Sequence, residues 1–118
     1  MAYTAVFAAL HVADLDASRA WYERFCGRPP DLVPNDDEAA WQCTETGWIY
    51  VVRDAARAGA SAVTLLVDDL DARLAGLAER GIEPGEIETY ANGVRHVVVR
   101  DPEGNTVAFG EVPSGAGA

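Results

Sequence analysis

The nine residues from Val12 to Ala20 read VADLDASRA, and fifty-five positions later the chain reads VDDLDARLA, from Val67 to Ala75. A chain of 118 residues has room for one ordinary domain and not for two with separate cores. The repeat therefore marks two halves of one fold. Whatever the first phrase forms, the second should form again.

Each copy stands between an apolar strand pattern and an amphipathic helix pattern. Ahead of the first, TAVFAALHV alternates Val6, Ala8, Leu10 and Val12 with Ala5, Phe7, Ala9 and His11, the period of two that gives a strand two different faces. Asp14 is placed to cap a helix through DASRAWYERFC, which Gly27 ends in the left-handed region and Pro29-Pro30 cannot continue. In the second copy SAVTLLV is the strand, Asp69 the cap, DARLAGLAER the helix and Gly81 the stop. Three further strand patterns follow each helix: DLVP, EAAWQCT and GWIYVVR around the turns NDDE and ETG, then EIETY, VRHVVVR and NTVAFGEV around ANG and DPEG. The predicted fold is α+β, a single domain over residues 1–118 made of two βαβββ modules. Residues 3–53 form the first module, 54–60 a linker, 61–112 the second module and 113–118 a flexible tail. One helix covers only one face of a four-stranded sheet, so the modules must pack on each other or on another chain.

Charge narrows the function. Asp and Glu number 19 against 9 Lys and Arg, a net charge of -10, and such a surface repels a nucleic-acid backbone. The acidity serves solubility or attracts a cationic ligand. No apolar run reaches membrane-spanning length and the N-terminus carries no secretory pattern, so the expected location is cytoplasmic. Cys26 and Cys43 form no CxxC pair and read as small buried hydrophobes; Trp21 and Tyr22 read as core, and NDDE as a solvated turn.

The phrases HVADLDASRAWY and VRDPEGNTVAFGE resemble the vicinal oxygen chelate superfamily, which includes glyoxalase I, extradiol dioxygenases, and fosfomycin- and bleomycin-resistance proteins; the similarity runs from about Tyr3 to Val112. The resemblance implies that the strands curl into cupped sheets with the ligand in the cup. It also implies where a metal enzyme of the family would carry its His, Gln or Glu ligands: counted from the motifs, these positions hold Phe7, Ala62, Ala108 and either Tyr50 or Val51. A divalent cation needs several nitrogen or oxygen donors converging at about 2 Å, and these side chains do not provide a donor set. No metal and no cofactor are expected, and metal-dependent glyoxalase or dioxygenase chemistry is the reading that fits least.

Strand parity extends the cup. With Phe7, Ala62 and Ala108 facing inward, so do Ala9, His11 and Thr64, and pairing across DPEGN brings Val98 opposite Ala108 and puts His96 on the same side. The hairpin WQCTETGWIY leaves two registers open: Trp41 and Val51 face the cup, or Trp48 and Tyr50 do. Either supplies an aromatic wall suited to a planar, partly apolar organic ligand. The expected ligand-binding set is thus Phe7, Ala9, His11, Trp41, Trp48, Tyr50, Ala62, Thr64, His96, Val98 and Ala108, working in a homodimer whose cups are shared between chains. The favoured function is metal-free binding of a small molecule, resembling the bleomycin-resistance branch. The alternative is a cofactor-free isomerase, cyclase or lyase in which His11 or His96 is the general acid or base.

Overall fold

The computed structural model describes residues 2–113; most of the expected tail, residues 114–118, lies outside the described residues. The first module runs β1 (Val6–Val12), α1 (Leu15–Cys26), β2 (Leu32–Asn35), β3 (Glu38–Gln42) and β4 (Gly47–Arg53). A single 3-10 turn, Ala55–Arg57, leads to β5 (Ala62–Leu66), α2 (Leu70–Glu79), β6 (Glu88–Thr89), β7 (Arg95–Arg100) and β8 (Thr106–Glu111). The two mixed sheets have the same wiring, β1-β4-β3-β2 and β5-β8-β7-β6. In each, the first and last strands of the module pair in parallel and the remaining pairs are antiparallel.

The local signals act as their chemistry requires. Asp14 accepts a hydrogen bond from the Ala17 N–H and Asp69 one from the Ala72 N–H, each at 3.1 Å, which satisfies donors that a helix start leaves free. Gly27, at φ 76°, turns α1 off while its N–H donates to the Glu23 carbonyl at 2.9 Å.

One face of each sheet packs into a common core. Leu10, Val12, Ile49 and Val51 come from the first sheet, Val97, Val99, Val107 and Phe109 from the second, and Trp21, Tyr22, Phe25, Leu70 and Leu77 from the helices. The Phe25 ring stacks on Phe109 across the module boundary, centroids 5.5 Å apart and planes 19° apart. The two modules therefore share one core.

A polar lock joins the modules at the DPEGN turn. Asp101, 5% exposed, accepts from the Glu103 and Asn105 N–H groups through Oδ1, both at 2.9 Å, and through Oδ2 from Tyr22 Oη at 2.9 Å and Asn105 Nδ2 at 2.8 Å. Asn105 in turn donates from Nδ2 to the His11 carbonyl and accepts from the Ser61 N–H at Oδ1, both at 2.8 Å. Glu103 reaches back to the start of α1, accepting from the N–H groups of Ala13 at 2.7 Å and Asp14 at 2.8 Å. Gly59 passes beneath this turn at φ 88°, where an added Cβ would meet the Glu103 carbonyl oxygen at 2.5 Å. Only glycine fits there.

The cysteine expectation needs correcting. Cys26 is partly buried at the end of α1, but Cys43 is exposed beyond β3, because the strand ends at Gln42 and the turn carries Cys43 out of the sheet.

Candidate functional site

The faces turned away from the core are the candidate ligand surfaces. On the first sheet Phe7, Ala9 and His11 of β1 lie beside Trp48, Tyr50 and Val52 of β4, because the parallel register pairs Phe7 with Trp48, Ala9 with Tyr50 and His11 with Val52. The antiparallel register of β3 adds Gln42, Ala40 and Glu38 opposite Trp48, Tyr50 and Val52. Phe7 and Trp48 are stacked, centroids 5.1 Å apart and planes 11° apart, and Tyr50 meets Phe7 edge-on at 6.1 Å. A recess of about 200 Å³ opens among Phe7, Pro34, Glu38, Ala40 and Tyr50. Asn35 Nδ2 donates to Glu38 Oε1 at 2.9 Å and holds that carboxylate at the recess.

Trp41 is a correction. It lies on the opposite face of β3, fully buried and paired with Ile49. Its ring meets Tyr22 at 6.0 Å and its Nε1–H donates to the Arg28 carbonyl at 3.0 Å, so the indole is satisfied in the core. Of the two registers open to the sequence, the one with Ile49 and Val51 against the helices is the one formed.

On the second sheet Ala62 and Thr64 of β5 pair with Thr106 and Ala108 of β8, and β7 places Val98 opposite Ala108 and His96 opposite Gly110. These residues share the face away from the core. His96 stacks on Tyr90 at 5.6 Å, with Glu88 across from it on β6. Where the modules meet, Ala9, His11 and Ala62 join Arg57, Ala60 and Ser61 around an open cavity of about 440 Å³. The Ser61 hydroxyl accepts from the His11 N–H at 3.0 Å and lies 2.8 Å from His11 Nδ1, which orients the imidazole.

The structure thus places Ala9, His11 and Ala62 around one cavity, Phe7 and Tyr50 around a second with Trp48 stacked beside it, and Thr64, His96, Val98 and Ala108 on the second sheet. Glu38 and Ser61 were missed. Glu38 hides in the polar run NDDE, and only its pairing opposite Val52 turns it toward the aromatics. Ser61 reads as a strand residue until the close approach of β1 becomes visible.

The donor set does not fit a metal ion. Among the described residues no group of three or more His, Cys, Asp or Glu side chains is arranged to hold one, and Phe7, Ala62 and Ala108 bring no suitable ligand to the cup faces. No helix of the described residues is long and apolar enough to cross a membrane.

A family model for the glyoxalase/bleomycin resistance protein/dioxygenase superfamily matches residues 4–109. The chain belongs to this superfamily. A solved glyoxalase/bleomycin resistance protein from Catenulispora acidiphila DSM 44928 is 46% identical, covers 94% of this chain and 100% of its own, and superposes with a TM-score of 0.88. Two more distant structures with a similar fold are TnmS3, an antibiotic binding protein from Streptomyces sp. CB03234, and a bleomycin resistance determinant encoded on the transposon Tn5. The first is 23% identical with a TM-score of 0.74, covering 96% of this chain and 99% of its own. The second is 18% identical with a TM-score of 0.75, covering 91% and 96%. At those identities they speak for the fold. Comparison with curated proteins gave no match.

Proposed function

We propose that this member of the superfamily is a metal-free binding protein that sequesters a planar or cationic, partly apolar organic molecule in its cup. The observation that carries this reading is the Phe7–Trp48–Tyr50 cluster with the Glu38 carboxylate at its rim. Aromatic faces attract cations and flat rings, and a nearby carboxylate adds Coulombic attraction where water is partly excluded. This reading is supported by the shared fold of TnmS3, an antibiotic binding protein, and of the Tn5 bleomycin resistance determinant.

A thermal-shift screen of small molecules should yield hits that quench tryptophan fluorescence and are recovered unchanged in mass. Trp48→Ala should weaken such a hit by roughly 1–3 kcal/mol, the usual cost of removing a stacked aromatic anchor, and His11→Ala and His96→Ala should weaken it less. Equal affinity in all three variants would place the ligand elsewhere. The purified protein should also hold no stoichiometric divalent metal; one zinc, nickel, manganese or iron per chain by elemental analysis would defeat the metal-free reading.

A cofactor-free isomerase, cyclase or lyase is the second reading, favoured by the oriented His11 ring beside its cavity. An imidazole held in place by a neighbouring hydroxyl is suited to act as a general acid or base. In that case His11→Ala, or His96→Ala if that ring is the base, should keep most of the affinity and lose turnover by about a hundredfold or more.

We further propose a homodimer with cups shared between chains. Phe7 is 45% exposed and Leu66 66% exposed on the two cup faces, and a closed two-fold pairing would cover both. Sedimentation at micromolar concentration should give twice the mass of one chain; a single-chain mass would mean that each cup is complete in one copy.

A further inference from the structure

The modules are alike in wiring but not in how they are sealed. The DPEGN turn locks onto α1, whereas the corresponding ETG turn between β3 and β4 makes no such lock onto α2. There the structure has a cavity of about 540 Å³ between α2, the end of β5, the end of α1 and the β3–β4 turn. Its apolar wall includes Phe25, Leu65, Leu77 and Phe109. Its polar groups include Arg28, Arg73 and Arg80, and among the described residues no Asp or Glu lines it.

That is unexpected on a chain with 19 acidic residues and a net charge of -10. Arg28 is paired with Asp31 at 3.0 Å. Arg80 directs Nε to the Arg24 carbonyl and Nη2 to the Phe25 carbonyl, 3.1 Å away, at the C-terminal end of α1. Among the described residues neither Arg73 nor Arg80 forms an ion pair with a carboxylate. Two guanidinium groups without carboxylate partners thus stand at a cavity with an apolar wall, and its volume is in the range of about 300–1,000 Å³ usual for small-molecule sites. A guanidinium matches a carboxylate in both charge and fork geometry.

We propose that this cavity, whose lining reaches Gln42 and Thr64 of the cup faces but neither the Phe7–Tyr50 recess nor the His11 cavity, binds a small amphipathic carboxylate, with its chain on the apolar wall and its head group at Arg73 and Arg80. The ligand class is opposite in charge to the one proposed for the cup, and the site does not depend on that reading. Decanoate is a suitable probe and decanol its neutral match, titrated by calorimetry and by amide chemical shifts. Decanoate should bind with shifts concentrated on residues 72–80, and decanol at least tenfold more weakly. Arg73→Glu, a change at an exposed position, should weaken decanoate tenfold or more without altering thermal stability or the response of the cup to its own ligands. Ala72→Trp, which fills the cavity from α2, should do the same without touching charge. Equal binding of decanoate and decanol, unchanged binding in both variants, shifts centred on Phe7 and Tyr50, or no binding at millimolar concentration would each overturn the proposal.

Discussion

Asp101→Ala should lower the unfolding free energy by ~3–5 kcal/mol, an effect as large as deleting a buried aromatic ring. The substitution removes one carboxylate and strands four donors at once: Tyr22 Oη, Asn105 Nδ2, and the N–H groups of Glu103 and Asn105. Tyr22 and Asn105 are fully buried, so water cannot replace the lost acceptor without opening the boundary between the modules. At ~3–6 °C per kcal/mol for a domain of this size, the melting temperature should fall by roughly 10–30 °C. Asp101→Asn keeps one acceptor oxygen but turns an NH2 group toward other donors, and should cost roughly half as much. Urea unfolding checks both, with an unchanged slope m showing that stability, not compactness, has moved. A midpoint within experimental error of the parent would mean that the turn merely touches the first module.

Alkali should find the same boundary. Burial, then the charge of Asp101 and the hydrogen bond to it, holds the Tyr22 phenol far above its ordinary value of 10.0. Burial, with the nearby Cys43 adding to it, pushes the Cys26 thiol from 9.0 up to about 12. Both groups are therefore easier to ionise in the unfolded chain than in the folded one. Their contribution is fully present below the unfolded values and is lost as pH rises: between 9 and 12 for Cys26, and from 10 upward for Tyr22. Each can remove up to about 1.4 kcal/mol per pH unit within its window. Denaturant midpoints should hold steady to about pH 8.5 and then fall, with the slope steepening above 10. Cys26→Ala should erase the first part of that fall; a profile identical to the parent's would show that the thiol is solvated in the folded protein.

These expectations rest on contacts the sequence does not display, and the division is physical. Asp14, Gly27 and Asp69 are legible because a helix cap is settled within four residues. The inward turn of Phe7, Ala9 and His11 is legible because alternation in β1 is local. Which of Trp41 and Trp48 enters the core is not, because that choice is made when β4 pairs with β1 across some forty residues. Glu38 and the network around Asp101 are hidden for a related reason: a polar residue in a turn looks solvated until a distant element arrives to cover it.

The lock at Asp101 also bears on how the chain comes into being. Its hydrogen bonds span 79 residues from Tyr22 to Asp101, 89 from Asp14 to Glu103 and 94 from His11 to Asn105. During synthesis β1 and α1 precede the rest of this fold, and the Glu103 carboxylate that accepts from the start of that helix is nearly the last part of the fold to leave the ribosome. Closing loops of this length is entropically costly and slow relative to local contacts. Until the second module arrives, Phe25 lacks Phe109 to stack on and Tyr22 lacks the acceptor for its hydroxyl, so the first half can start its core but only the second can finish it.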